Sequence, residues 1–357
     1  MKIGIDKTCL NNIDKLKKFK NCQIIYIFDT ESLSELLRTN LYCVHISQIK
    51  QIDINLTSYT LKAIKTLKIE NISEEDIPKK KDYKFCIIIP SYNNDHGNIE
   101  GKTFLQKCVE SVLNQTYEDY TLVIVDDMST DKSVETVENC VDNFEGKDRI
   151  TYLIRNSYKR YNGGNRNVGI EYALKNIEFD YFVFMDSDDW LKNENVLQNI
   201  NDNLWDCEML LTGTEILFQD GTVHKKVNTF DTFEDLFLST DKCWCTAWAR
   251  VIRKDKIVYF PEGTTMEDRT WCYEQTDNID INNVRVLEDM CYVWNRKNVT
   301  NSVCLVRDDI WKASAWKHIG QQLMLIPKLK HKEMIPILKD RIQVCINKAN
   351  SGIYDQY

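Results

Sequence analysis

Acidic residues supply the chemistry this sequence can offer. Asp186-Ser187-Asp188-Asp189 puts three carboxylates within four residues, more than a turn or a helix cap requires. Oxygen donors at alternating positions, Asp186 and Asp188, suit a hard divalent ion such as Mg²⁺ or Mn²⁺ that also takes phosphate oxygens. Upstream stand a second acidic group, Asp126-Asp127-Met128-Ser129-Thr130-Asp131, and the polar segment Pro90-Ser91-Tyr92-Asn93. Taken alone, Asp126-Asp127 reads equally well as a turn. Tyr161-Asn162-Gly163-Gly164-Asn165-Arg166 joins paired glycines to a helix start. Backbone amides there, with Arg166, suit an anion or a ribose, and a plain loop-to-helix junction fits the segment as well. Further along, Glu267 and Asp268 read either as first-turn acids favoured by a helix dipole or as a general base for a hydroxyl proton.

These residues need a scaffold, and the apolar runs provide one. Strand-like runs at Phe85–Pro90, Thr121–Val125, Ile150–Ile154 and Tyr181–Met185 alternate with helical patterns. The helices are expected near Thr103–Leu113, Ser133–Val141, Asn165–Leu174 and Val196–Leu204. Such alternation implies an α/β fold with parallel strands covered on both faces, binding ligands at the carboxyl ends of the strands. Three of the four strand ends carry the polar segments above. Acids gathered on one sheet edge repel one another unless a cation or a donor-rich ligand sits among them.

Three regions are expected. Residues 1–82 form a small α/β appendage and linker, with a helix-like Asn11–Lys20, a strand-like Gln23–Phe28, Leu33, Leu36 and Leu37 at helical spacing, and a polar run Ser73–Lys81. A catalytic domain spans 83–305. From 306 to 357 the chain is helical, with Trp311–Met324 and Met334–Ile346 at helical spacing.

The composition narrows the function classes. Hydrophobic residues make up 43% and charged residues 28% of the 357 positions, as in soluble globular proteins. A formal net charge of −8 speaks against a polyanion as the main partner, and no strong nucleic-acid signal is present. No apolar run reaches the ~18–20 residues needed to span a bilayer, and no leader pattern is seen, so a cytoplasmic protein is expected. The 13 cysteines are odd in number and lack a CxxC spacing, so they read as reduced, mostly buried thiols.

Together the segments resemble the family 2 glycosyltransferases. Cys86-Ile87-Ile88-Ile89-Pro90-Ser91-Tyr92-Asn93 is similar to that family's opening strand and nucleotide loop, and Val123–Asp131 to its second strand. Asn162–Ile170 resembles its glycine-arginine-asparagine segment and Phe182–Leu191 its metal motif, while Trp248–Arg253 and Glu267-Asp268 resemble its acceptor half. The resemblance implies a GT-A, Rossmann-like, mixed and mostly parallel sheet flanked by helices. It also implies an inverting transferase that uses a nucleotide-diphosphate sugar, UDP-linked, with Mn²⁺ or Mg²⁺. By the same resemblance Pro90, Ser91 and Tyr92 line the nucleotide pocket, Asp126 reads the base with Asp127 nearby, and Arg166 helps hold the nucleotide. Asp186 contacts ribose or metal, Asp188 is the main metal ligand, and Asp268 is the catalytic base, with Glu267 the alternative. Trp248 shapes the sugar or acceptor pocket or serves as core. Two departures stand out: a longer loop, Asn94–Gly101, after the first strand, and Tyr292–Lys297, where Arg296 or Lys297 is placed to meet phosphate.

The acceptor stays open among glycan, lipid-linked, protein and modified nucleic-acid-base forms. A nucleotidyltransferase would want a basic glycine loop where Ser91-Tyr92-Asn93 stands, and a non-catalytic relative would have lost the metal motif or the base. The C-terminal helices offer three roles: a cap packed on the catalytic domain, self-association into a homo-oligomer, or peripheral contact with a membrane. Trp311, Trp316, Leu323, Met324 and Leu325, with Lys328, Lys330 and Lys332, suit the last.

Overall fold

The computed structural model describes residues 2–5, 24–27, 81–146, 150–238, 240–264, 266–297 and 309–351. The chain divides into two compact units, Met1–Lys81 and Asp82–Tyr357. In the first, strands β1 (Lys2–Ile5) and β2 (Ile24–Ile27) pair in parallel. The expected helix at 11–20, the leucine spacing at 33–37 and the polar run before residue 81 lie outside the described residues.

The second unit is built on β3 (Phe85–Ser91), β4 (Tyr120–Asp126), β5 (Thr151–Arg155), β6 (Tyr181–Phe184), β7 (Trp190–Leu191), β8 (Met209–Leu217), β9 (Val223–Lys226), β10 (Arg250–Arg253) and β11 (Val284–Asn295). Among the described residues they form one sheet in the order β5-β4-β3-β6-β10-β8-β11-β7, with β9 paired to Thr214–Leu217 of β8, beyond the residues that β10 pairs. The β5-β4-β3-β6 half is parallel, and β10 joins it antiparallel on both of its sides. Mixed pairing was implied by the family resemblance and not by the strand–helix alternation. Every residue of β3 is buried, as expected of a strand covered on both faces. Pro90 is tolerated because β6 pairs only with Phe85–Ile88 and ends before it, so no neighbour on that side needs its missing N–H.

Helices α1 (Phe104–Leu113), α2 (Ser133–Asp142), α3 (Tyr161–Asn176), α4 (Val196–Leu204), α5 (Phe233–Phe237), α6 (Glu267–Asp277), α7 (Asp309–Leu325) and α8 (Met334–Ser351) cover the sheet. The two-residue period of β3 divides the core. Ile87 and Ile89 pack with Leu105, Val109 and Val112 of α1, while Cys86 and Ile88 pack with Ile170 and Ala173 of α3 and Trp271 of α6. Ile319 and Leu325 of α7 and Leu338 and Ile342 of α8 belong to that second layer, so the C-terminal helices share the core of the catalytic sheet. Among the described residues nine cysteines are free thiols, all but Cys345 buried. No helix of the described residues is long and apolar enough to cross a membrane.

The start of α3 corrects the reading of Gly163-Gly164. The helix begins at Tyr161, so the glycines lie inside it and not in a loop ahead of it. A Cβ on Gly163 would sit 2.4 Å from the carbonyl oxygen of Pro261, so glycine is required for close approach of the segment leading into α6.

His318 on α7 is buried between α6 and its own helix, with Nδ1 3.1 Å from Thr270 Oγ1 and Nε2 2.7 Å from Gln322 Nε2. Burial, with Arg269 nearby, pushes its pKa down to about 3. The folded protein keeps this ring neutral while the unfolded chain protonates it near 6.5. Its contribution to stability is therefore complete above that pH and is lost as pH falls toward 3. Thermal melts should weaken by about 1.4 kcal/mol per pH unit below 6 from this group alone. His318→Gln should flatten that acid limb, and an identical pH dependence in the variant would assign the loss to other groups.

Candidate active site

The carboxyl ends of β3, β4 and β6 converge as expected. Ser91 and Asp126 are register partners, and so are Asp126 and Arg155. Asp126 is buried, with Oδ2 accepting from Ser129 N at 3.1 Å and from Arg155 Nε at 3.3 Å. Its Oδ1 and the hydroxyl of Ser91 are buried without a partner among the described residues. Buried polar atoms are normally paired, so two left this way on register-partner residues mark a place for a polar ligand group or water. Tyr92 is exposed, and Lys159 Nζ stands 3.7 Å from its ring centroid.

Loops knit this edge together. Asn93 adopts φ +48° and receives Thr130 N on Oδ1 at 2.8 Å, while its own N–H donates to Ser129 Oγ at 2.9 Å. Asn94 Nδ2 donates to Ser187 Oγ at 2.5 Å, which ties the long loop after β3 to the acidic segment after β6. Met128 and Tyr161 also have positive φ, +65° and +62°, conformations that non-glycine residues hold only when their surroundings impose them.

Asp127 has a different task from Asp126. Arg160 N donates to its Oδ1 at 2.7 Å and Tyr161 N to its Oδ2 at 2.8 Å, with Asn156 Nδ2 3.1 Å from Oδ1. The anion held by the amides at the start of α3 is thus this protein's own carboxylate.

Arg166 organises the acidic half of the site. It is fully buried, donating from Nη1 to Glu267 Oε1 at 2.7 Å and Asp268 Oδ1 at 3.3 Å, and from Nη2 to Asp186 Oδ1 at 2.5 Å. One guanidinium therefore joins the motif after β6 to the first turn of α6, while its Nε lacks a partner among the described residues. Of the two α6 acids, the Glu267 side chain is 5% exposed and that of Asp268 is 27% exposed. Asp268 is thus the more open of the two to solvent. Burial raises both carboxyls, Arg166 opposes the rise, and the carboxyl of Asp268 is pushed up to about 8.

Along Asp186–Asp189 exposure alternates: Asp186 and Asp188 are half-buried, Ser187 and Asp189 buried. Asp189 accepts from Tyr292 Oη at 2.7 Å and from Asn295 N at 2.7 Å, and Asn295 Nδ2 donates to the Asp188 carbonyl at 3.0 Å. Asp189 is an anchor for β11. Among the described residues no three His, Cys, Asp or Glu side chains converge as a metal site. Asp186 and Asp188 are the two carboxylates of this motif that stay partly open to solvent, and Asp186 Oδ1 is paired with Arg166. Trp248 is buried and stacks on Tyr292 at 4.7 Å with 4° between the planes, a wall behind this loop. Trp294, half-buried, lies 4.8 Å from the Arg296 guanidinium.

Sequence reasoning did not find Arg155, Asn156, Tyr292 or Asn295 as partners of the strand-end acids. The one local signal was Asp189, a third carboxylate beyond what an alternating ligand pair uses.

The second unit is thus a mixed α/β sheet with buried polar side chains at the ends of β3 and β4 and an acidic motif after β6. Residues 86–212 match the family model described as glycosyl transferase family 2. An uncharacterized glycosyltransferase of Haemophilus influenzae is 34% identical over 115 residues, 32% of this chain and 40% of that protein. The poly(ribitol-phosphate) beta-N-acetylglucosaminyltransferase TarP of Staphylococcus aureus is 31% identical over 205 residues, 54% of this chain and 57% of its own. The chain thus spans about half the length of these curated relatives or less. The crystal structure of S. aureus TarS 1-349 in complex with UDP aligns over 76% of this chain and 93% of that one, with 18% identity and a TM-score of 0.47.

Proposed function

We propose that this protein transfers a sugar from a UDP-linked donor, with inversion, to a hydroxyl of a glycan, lipid-linked or protein acceptor during surface-glycan synthesis on the cytoplasmic side. The observation that carries the reading is the single buried Arg166 joining Asp186 to Asp268. It sets the donor-phosphate motif and a solvent-reachable carboxylate in one rigid frame. The family match and the glycosyltransferase names of the relatives support the same reading.

Ser91 and Asp126 would hold the nucleoside, and Tyr92 would cover it. Asp268 would take the proton of the acceptor hydroxyl as its oxygen bonds to C1 of the sugar and the bond from C1 to the diphosphate breaks. Glu267 and Arg166 would fix the angle of α6 so that this carboxylate meets the hydroxyl. Asp186 and Asp188 would hold Mn²⁺ or Mg²⁺, whose charge neutralises the departing diphosphate.

A thermal-shift series tests this. UDP-sugars with Mn²⁺ should stabilise the protein by about 2.7 kcal/mol at a hundred times Kd, and GDP-, dTDP- and CMP-sugars much less. Asp188→Asn should remove the metal-dependent part of the shift. Absence of a shift with every nucleotide, with or without metal, would favour a non-catalytic binding module.

A further inference from the structure

The face of α7 opposite the catalytic sheet is apolar and open. Trp316, Leu323 and Met324 are 48%, 49% and 66% exposed, and a side-chain carbon built on Gly320 would meet nothing within 4 Å. At 100° per residue, positions 316, 320, 323 and 324 fall on one side of the helix, and exposed Pro327 follows the stripe. Ser314, Ala315, His318, Ile319, Gln322 and Leu325 are buried on the other side.

This stretch of the chain is basic. From Trp311 to Lys332 there are five lysines (Lys312, Lys317, Lys328, Lys330 and Lys332) and no Asp or Glu, in a chain of net charge −8. Lys317, Lys328, Lys330 and Lys332 are exposed. Lys332 Nζ lies 3.4 Å from the Pro327 carbonyl, which brings this basic group back to the end of the apolar stripe.

We propose that this face of α7 docks on an anionic phospholipid surface, with Trp316, Leu323 and Met324 entering the headgroup–acyl boundary and the lysines meeting lipid phosphates. Exposed apolar side chains on one helix face with lysines beside them are what such a surface selects. A second copy of the chain fits less well, because self-pairing of this face would bring its lysines against one another. A nucleic acid would use the lysines and leave the apolar stripe in water.

The buried side of the same helix grips the segment that leads into α6. Gln321 Nε2 donates to the Glu262 carbonyl at 3.0 Å, Thr264 Oγ1 lies 2.9 Å from Ser314 Oγ, and Thr270 Oγ1 meets His318. Docking would thus hold the first turn of α6 about one helix diameter, ~10 Å, from the lipid. The proposal stands apart from the donor reading, because vesicle binding is measured without sugar transfer.

The full chain is sedimented with phosphatidylcholine vesicles with and without phosphatidylglycerol. Binding is expected to the anionic vesicles and to weaken with salt. Leu323→Glu with Met324→Glu should weaken it by about tenfold or more, and replacing Lys328, Lys330 and Lys332 by Gln should remove the preference for the anionic lipid. Unchanged melting temperatures would show that both variants remain folded. Wild-type protein that ignores both vesicles, or a Glu double variant that binds as well as wild type, overturns the proposal. So does a lipid-free dimer that the same double substitution dissociates, which would assign the face to a second copy.

Discussion

Asp268→Asn is expected to lower sugar transfer by about 10²–10⁴-fold while donor binding is retained. The substitution keeps the shape and the contact with Arg166 but removes the only acid of the α6 first turn that solvent reaches. A pH profile separates this role from a structural one. The carboxyl is pushed up to about 8, so at pH 6 most molecules hold it protonated and unable to accept. Transfer in the wild type should therefore climb with pH toward that value, and the residual activity of the variant should lose the climb. The same shift acts on stability with the opposite sense to that of His318. The folded state keeps a proton that the unfolded chain releases near the ordinary value of 3.8, so this group's contribution declines as pH rises from there toward 8. Full transfer by Asp268→Asn would remove the residue from the mechanism and direct attention to Glu267.

Arg166→Met should be the most destabilising single change in the site, at about 3–5 kcal/mol by urea unfolding. The side chain is replaced by one that fills much of the same space, so the loss is chiefly electrostatic. Asp186, Glu267 and Asp268 would face one another without the cation that all three contact, Glu267 almost wholly sheltered from water. Arg166→Lys should recover part of the stability, because a point charge reaches one or two of the carboxylates where the planar fork reaches three. The loss in Arg166→Met should also shrink at low pH, where the stranded carboxyls take up protons. A midpoint within experimental error of wild type would mean that the three acids are neutralised by other means.

What could be read ahead of the structure was what local pattern determines. The strands β3, β4, β5 and β6 and helices α1, α2 and α4 were expected to within a residue or two, because a continuous apolar run or a helical stripe is set by near neighbours. The antiparallel joins of β10 to β6 and β8 depend on residues far apart in the chain, and strand–helix alternation says nothing of them. Arg166 was expected on the nucleotide, and its contacts with acids of two other segments, Asp186 20 positions on and Glu267 101 positions on, were not foreseen. The glycines of α3 misled for a similar reason. Glycine is a poor helix residue by its own preference, and only the approach of Pro261 explains why a helix starts through them. Asp126 and Asp127, neighbours that composition cannot tell apart, were separated by the chain turning the second toward the start of α3.

The anchoring of Asp189 to Tyr292 and Asn295 bears on how such enzymes can be recombined. A chimaera that takes its first half from this chain and its second from a relative would leave a buried carboxylate looking for a hydroxyl and an amide that the graft has to bring. Specificity swaps at the acceptor end are therefore constrained from the donor end: the exchangeable block begins beyond Asn295 or includes the acidic motif with it.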